Sequence, residues 1–207
     1  MNTKEKILDA SLDLFSLYGY QDTSVAQIAA AVGIKAPSLY KHYKSKQAIF
    51  DALVKKMDQQ YFHQISMLKL NTLTPRLAAN PFSHILEEEL IKTVWQLFQF
   101  FLWDPYISRF RKMMILEQSR HSGIARIYEK QYFDDPINFQ TELFRQLCSA
   151  GVLTGSDPRS MALSFYSPIF TLLNLCDQNP ARTDEAEKLL RNHIHEFNRI
   201  YKREANK

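Results

Sequence analysis

Apolar residues recur with a helical period along most of the chain, and short polar or proline-containing stretches separate these runs. Residues 3–19 place Ile7, Leu14 and Tyr18 on one helix face, which Leu8, Ala10 and Phe15 widen, and Gly19 is a typical helix stop. A first amphipathic helix is therefore predicted at the start of the chain.

The remainder of the chain is also predicted to be helical. A long amphipathic helix is expected over about residues 46–69, and residues 71–83 contain two prolines and several turn formers, which predicts a loop. Further helices are predicted over residues 84–103, 104–119, 124–133, 134–150, 157–176 and 183–201. The pattern predicts an all-α fold.

The stretch from Ser24 to Lys46 predicts two short helices joined by a tight turn. Ser24 can cap a helix that begins at Val25, and Gln27 three residues later completes a capping box. Gly33 ends that helix and can adopt the positive φ that a turn between two steeply crossed helices requires. Pro37 lies at a first-turn position of the next helix, predicted over about residues 37–43.

The second of these helices has an inner and an outer face. Leu39 and Tyr43, four residues apart, are predicted to face inward. The outer face carries cations, hydroxyl groups, an imidazole and a methyl group, from Lys35, Ala36, Ser38, Tyr40, Lys41 and His42. Such groups can contact phosphate oxygens and base edges in a major groove. An ordinary solvated surface is the alternative for a cluster of charges, but the turn chemistry favours a DNA-binding helix-turn-helix.

Lys46 opens the following helix, close to the positive end of the helix dipole. A cation is poorly placed there unless an anion lies nearby. This position therefore suggests a contact with a bound anion.

Several short motifs resemble the DNA-binding signature of TetR/AcrR-family transcriptional regulators. They are Thr23-Ser24, Ile28-Ala29, Gly33-Ile34, Pro37-Ser38-Leu39-Tyr40, His42-Tyr43 and Lys44-Ser45-Lys46. The resemblance covers roughly the first quarter of the chain. It implies DNA contacts from Thr23, Ser24, Lys35, Ala36, Pro37, Ser38, Tyr40, Lys41, His42 and Lys46. Lys35 replaces a common Ser or Thr and Tyr43 a usual Phe, so the base contacts cannot be carried over.

Two domains are predicted: a helix-turn-helix DNA-binding domain at residues 1–46 and an effector-binding and dimerisation domain at residues 47–207. The formal net charge is +4, and residues 24–56 contain six lysines against Asp51 alone. This asymmetry suits a polyanionic partner, although charge alone fits a membrane surface nearly as well.

The sequence predicts a cytoplasmic protein without a membrane span. Cys148 and Cys176 form no Cys-x-x-Cys pair, and the first residues lack the features of a signal peptide. The apolar stretches at residues 90–103 and 161–176 are shorter than the ~20 residues that a bilayer requires.

No catalytic motif is recognisable, so the chain is predicted not to be an enzyme and to need no cofactor. His193 and His195 point in different directions on a helix, so they cannot share a metal ion. His193 with Glu196 is the remaining metal alternative, and ordinary solvation of these side chains is preferred to it.

Aromatic residues make up 13% of the chain, and many lie in its middle third. A cavity for an apolar or aromatic small molecule could be lined by Trp95, Phe98, Phe110, Met114, Phe165, Tyr166 and Phe170. Core packing is the alternative for each of them. The family resemblance implies an effector pocket.

The last two helices are predicted to form a dimer interface. Residues 161–176 are apolar nearly all round, so a single helical partner cannot cover them. A four-helix bundle formed with a second subunit about a two-fold axis would provide the cover, and a monomeric bundle is the alternative. Pro168 should kink its helix.

These observations predict a ligand-responsive, homodimeric repressor. It would be released from a near-palindromic operator by a small apolar or aromatic effector. A second hypothesis is an effector-binding helical protein or a small enzyme whose basic end meets an acidic protein or a membrane.

Overall fold

The computed structural model of the protein describes residues 2–67 and 85–202, and the side chains of residues 65–67 are outside that description. In chain order the helices are α1 (Thr3–Tyr18), α2 (Val25–Val32), α3 (Ala36–Tyr40), α4 (Lys46–Met67), α5 (Glu87–Trp103), α6 (Pro105–Glu117), α7 (Ser122–Glu129), α8 (Asp135–Ser149), α9 (Pro158–Gln178) and α10 (Thr183–Tyr201). A π-helical turn, Lys130–Asp134, precedes α8, and a 3-10 turn, Pro180–Arg182, precedes α10. Over the described residues no strand is present, and the all-α prediction is confirmed.

The chain divides into two compact units. The first contains Met1–Gln64 and Trp103–Glu129, and the second contains Ile65–Leu102 and Lys130–Lys207. This division differs from the predicted boundary after residue 46, because α4, α6 and α7 belong to the same unit as α1, α2 and α3. A three-helix core of about 45 residues is small, so further apolar surface must be buried against it. The predicted functional roles of residues 1–46 and 47–207 remain a prediction.

The core of the first unit is built around α1 and α6. Helix α1 packs against α2 and α6. The largest side chains without exposed surface are Ile7, Leu12, Phe15, Ile28, Leu39, Ile49, Leu53, Ile107, Phe110, Arg111, Met113 and Met114. The Tyr106 hydroxyl donates to the Leu53 carbonyl oxygen at 2.6 Å, and Arg109 pairs with both Asp9 and Asp13 of α1. Phe110, Met113 and Met114 thus form part of the buried face of α6.

One predicted helix face is partly wrong. Ile7 is buried, but Leu14 is only half-buried and Tyr18 is 60% exposed. At about 100° per residue, positions 7, 14 and 18 share one side of the helix, but this side is only one edge of the buried face. The buried face of α1 consists of Ile7, Leu8, Ser11, Leu12 and Phe15, so the predicted burial of Ile7, Leu8 and Phe15 is confirmed.

The second unit packs α8 against α9 and α9 against α10. The rings of Phe165 and Phe197 lie 4.9 Å apart in an edge-to-face arrangement, and Phe144 contacts both. The apolar stripe of α10 faces the core: Ala186, Leu190, Ile194 and Phe197 are buried, and Tyr201 is half-buried. Helix α10 also binds the acidic first turn of α5, through His195 to Glu87 and Arg191 to Glu88.

Several helix ends agree with the sequence. The carboxylate of Asp104 accepts hydrogen bonds from the backbone N–H groups of Tyr106 and Ile107, and Asp157 caps α9. Pro168 lies inside α9. The predicted loop at residues 71–83 lies outside the described residues.

Candidate nucleic-acid interface

Helix α2, the first helix of the predicted motif, begins at Val25, directly after the predicted capping residue Ser24. The Ser24 side chain accepts a hydrogen bond from the backbone N–H of Gln27 at 3.2 Å, and the backbone N–H of Ser24 donates to the Gln27 side chain at 2.7 Å. Gly33 ends α2 with a φ of 75°, in the left-handed region that favours glycine. These contacts confirm the capping box and the glycine turn.

Helix α3 is shorter than predicted, because it ends at Tyr40 rather than near Tyr43. The chain continues as a turn, in which the N–H groups of His42 and Tyr43 both donate to the Leu39 carbonyl oxygen. Leu39 and Tyr43 are buried, as predicted. These two anchors fix which side of α3 faces outward.

The outward side of α3 carries the predicted chemistry. Lys35, Tyr40, Lys41 and His42 are exposed, and Ala36 and Ser38 are half-buried. We call these six residues the α3 surface. Pro37, also predicted to contact DNA, is exposed at the start of the helix, and Lys44 extends the basic character just beyond it. The structure therefore brings together cationic, hydroxyl and imidazole groups on one exposed surface.

Thr23 does not belong to that exposed surface. It is 1% exposed, and its hydroxyl donates to the Gly19 carbonyl oxygen at 2.8 Å. The side chain of Thr23 is therefore engaged within the protein, and its contact with DNA stays a prediction that this burial does not support. Ser24 is exposed, but its hydroxyl already bonds to the Gln27 side chain.

Lys46 is also engaged within the protein. Its ammonium group donates to the carbonyl oxygens of Tyr20, Gln21 and Thr23 at 2.7, 3.1 and 2.9 Å. The same nitrogen lies 4.5 Å from the centroid of the Tyr20 ring. Burial lowers the pKa of Lys46, whereas the charges of Glu117 and Asp22 act to raise it. The sequence suggested that a bound anion would lie near this ammonium group. In the structure three backbone carbonyl groups occupy that role.

A further cation near the motif was not predicted. The Lys4 ammonium group lies 5.3 Å from the centroid of the Tyr43 ring. Lys4 lies 39 residues from Tyr43, and the sequence offered no signal for this contact.

The predicted effector-binding residues fall into both units. Phe110 and Met114 have no exposed surface in the core of the first unit, where Phe110 stacks on Phe50 and Tyr106. The others belong to the second unit. There, Trp95 stacks on Phe98 with centroids 5.2 Å apart, and Tyr166 stacks on Phe170 at 5.9 Å. The second-unit residues Trp95, Phe98, Phe165, Tyr166 and Phe170 are therefore the candidates that share one compact unit.

The histidines of α10 contact oxygen atoms of the protein. The ring of His193 lies 2.8 Å from the Phe165 carbonyl oxygen, and the ring of His195 lies 2.9 Å from the Glu87 carboxylate. Residues 2–67 and 85–202 contain no group of three or more potential metal ligands. Within the same residues, no helix combines the length and apolarity that crossing a bilayer would require.

Comparison with known proteins identifies the N-terminal region. Residues 7–53 match the family described as bacterial regulatory proteins, tetR family. The HTH-type negative transcriptional regulator IcaR of the biofilm operon icaADBC, from Staphylococcus aureus, is 41% identical over 68 residues. The aligned region covers 33% of this chain and 36% of IcaR, so the chain spans about a third of the length of this curated relative.

Similarity to solved structures extends over nearly the whole chain. The SmeT–triclosan complex has a TM-score of 0.70 at 18% identity and covers 99% of this chain and 94% of SmeT, a protein from Stenotrophomonas maltophilia. A TetR-family protein from Mesorhizobium loti has a TM-score of 0.68 at 18% identity, with 97% of each chain covered. At these identities the similarity establishes the fold alone.

The N-terminal region is therefore similar in sequence to regulators of the tetR family, and the fold is similar to that of a TetR-family structure. The predicted arrangement, an N-terminal helix-turn-helix domain followed by a helical C-terminal region, is confirmed. The family that matches residues 7–53 consists of bacterial regulatory proteins, and the prediction that the chain is not an enzyme agrees with this.

Proposed function

We propose that the protein is a homodimeric DNA-binding repressor that a small apolar or aromatic effector releases from a near-palindromic operator. Residues 1–46 would bind DNA, and residues 47–207 would bind the effector and form the dimer in the cytoplasm. The observation that carries this proposal is the α3 surface, which is exposed while Leu39 and Tyr43 anchor the other side of the motif.

The α3 surface suits a DNA major groove. Lys35 and Lys41 can donate to guanine edges or phosphates, and the hydroxyl groups of Ser38 and Tyr40 can bond to phosphate oxygens. Ala36 offers a methyl contact to thymine. The adjoining exposed Lys44 adds positive charge next to this surface.

Regulation by a small molecule is supported by the aromatic residues of the second unit and by the relatives. IcaR is named as a negative regulator, and SmeT has been solved in complex with triclosan. In this chain, Trp95, Phe98, Phe165, Tyr166 and Phe170 are the candidate effector residues. Effector and DNA would weaken each other's binding by the same factor, typically about 5–150-fold.

Dimerisation through α9 and α10 is supported by exposed apolar residues on both helices. Leu163 on α9 is 43% exposed, and Leu189 and Ile200 on α10 are 45% and 57% exposed. Ser164, Ser167 and Thr171 form the exposed side of α9, where small side chains permit a close helix approach. A two-fold dimer would present two α3 surfaces, which must lie about 34–36 Å apart to read half-sites one turn apart.

Selection from a pool of random DNA duplexes, followed by titration over a salt series, tests the proposal. We expect enrichment of a near-palindromic sequence and a steep fall in affinity with salt, since several phosphate contacts release counterions. The absence of both an enriched sequence and a salt dependence would contradict the proposal. Binding to anionic vesicles or to an acidic protein instead would favour a different partner for the basic end.

A further inference from the structure

The contacts of Lys46 show a lysine whose donors are all occupied by the backbone of one loop. The loop connects α1 to α2, and three of its carbonyl oxygens converge on one ammonium group at 2.7–3.1 Å. An ammonium group has three N–H donors, so these bonds use its full capacity. The Tyr20 ring lies against the same nitrogen. No donor is left for a DNA phosphate in this arrangement.

The loop is also held from the side of α6. The Glu117 carboxylate is buried directly over Gly19, where a Cβ would clash with it, and its charge attracts Lys46. Arg120 pairs with Asp22 at 3.2 Å, and the His121 ring packs edge-on against Tyr20 with centroids 5.5 Å apart. The residues from Gly19 to Asp22 are therefore held between the start of α4 and the end of α6.

The position of this loop determines where α2 begins. Thr23 and Ser24 are its last two residues: Thr23 supplies one of the three carbonyl groups, and Ser24 caps α2. A charged hydrogen bond is stronger than a neutral one, and three such bonds to one group define its position closely. Lys46 thus links the first residue of α4 to the N-terminal end of α2.

We propose that Lys46 is a positioning residue for the DNA-binding motif and not a phosphate ligand. It acts through the α1–α2 loop, fixing α2 and hence the orientation of the α3 surface. The expected effect on DNA affinity rests on the proposed DNA-binding function. Its structural part, the fixing of the loop, does not depend on DNA.

Salt dependence separates the two roles of a lysine. A residue that neutralises a phosphate contributes about 0.9 to the slope of log affinity against log salt concentration, whereas a positioning residue contributes nothing to that slope. Loss of a positioning residue should lower the affinity for a selected operator duplex more than the affinity for a duplex of shuffled sequence. Non-specific binding relies on phosphate contacts alone, so it depends less on the orientation of the motif.

The test compares Lys46→Met with the matched control Lys44→Met, which removes one exposed lysine two residues away. Each variant is titrated with a duplex selected by the wild-type protein and with a shuffled duplex across a salt series. For Lys46→Met we expect the wild-type slope, a loss of operator affinity on the order of tenfold, and a reduced operator-to-shuffled ratio. A slope that falls by about one, or an unchanged operator affinity, would overturn the inference.

Hydrogen exchange gives a second readout that needs no DNA. In Lys46→Met, peptides covering residues 19–28 should exchange faster, while peptides of α9 keep wild-type protection. Equal exchange of residues 19–28 in variant and wild type would refute the positioning role even if the protein never binds DNA. Lys46→Gln keeps two N–H donors without the charge and should change both the operator affinity and the hydrogen exchange less than Lys46→Met. If Lys46→Met does not fold, both measurements are made on Lys46→Gln and judged by the same criteria.

Discussion

Gly19 and Gly33 both adopt positive φ, but their surroundings differ. Gly33 has a φ of 75° and nothing within 4 Å of the position where a Cβ would lie. Gly19 has a φ of 88°, and a Cβ there would clash with the buried Glu117 carboxylate. The cost of a side chain at Gly33 is therefore conformational alone, whereas at Gly19 a steric cost is added.

Replacing each glycine by alanine should separate these two costs. Gly33→Ala should lower the free energy of unfolding by about 1–2 kcal/mol. Gly19→Ala should lower it by roughly 3 kcal/mol or more, because strain and overpacking add. Urea unfolding measures both, and Gly33→Asn, which tolerates this backbone conformation better, serves as the control. Equal losses at the two glycines would contradict the role assigned to Glu117.

Tyr43 carries a buried hydroxyl for which the described part of the chain provides no hydrogen-bond partner. Burial also raises the pKa of this group. Because an unpaired buried hydroxyl is unfavourable, Tyr43→Phe should leave stability unchanged or raise it by up to about 1 kcal/mol. Leu39→Ala, which opens a cavity beside it, should cost about 2–5 kcal/mol. A clear loss of stability in Tyr43→Phe would show that the hydroxyl has a partner, such as a bound water.

The residues of the candidate site show what local sequence can and cannot predict. Ser24, Gly33, Leu39 and Tyr43 were predicted correctly because their roles depend on neighbours within four residues. Lys46 depends on carbonyl groups more than 20 positions earlier in the chain. Hydrogen-bond partners at such separations are set by the tertiary fold, so resemblance to a family could suggest DNA contacts but not this internal contact.

At the scale of helices, the sequence predicted where helices begin and end, but it did not predict which helices pack against each other. Asp104, Asp157 and Gly151 mark helix ends through interactions with their own segment. The packing of α6 into the first unit was not predicted, and Phe110 and Met114 were therefore grouped with aromatic residues of the second unit. An amphipathic stripe shows that a helix is buried, but it does not identify the helix that covers it.

The contact between α5 and α10 should depend on pH. A hydrogen bond from His195 lowers the pKa of Glu87, and the same bond raises the pKa of His195. The histidine contribution is complete below its ordinary pKa of 6.5 and is lost as the pH rises through the raised value. The carboxylate contribution is present above the ordinary pKa of 4.5 and is lost as the pH falls through the lowered value. Both contributions are therefore present between about pH 4.5 and 6.5.

His195→Gln should consequently lower the melting temperature more at pH 5.5 than at pH 8.5. The effect should be small, because the pair is exposed to solvent. Arg191→Gln provides the control, since the Arg191–Glu88 pair joins the same two helices without a histidine. An equal loss for His195→Gln at the two pH values would argue against a charged pair.

At the scale of the whole molecule, the proposed function requires two copies of the chain. One α3 surface offers few contacts, and two at a fixed spacing read both halves of an operator at once.

We expect wild-type protein at micromolar concentration to sediment at twice the chain mass of 24.2 kDa. Leu189→Glu places a charge on the exposed side of α10 and should shift the protein to monomer and abolish tight operator binding. Leu17→Glu, at a 70% exposed position on α1, should leave the dimer intact. A wild-type monomer, or a dimer that tolerates Leu189→Glu, would move the interface away from this side of α10.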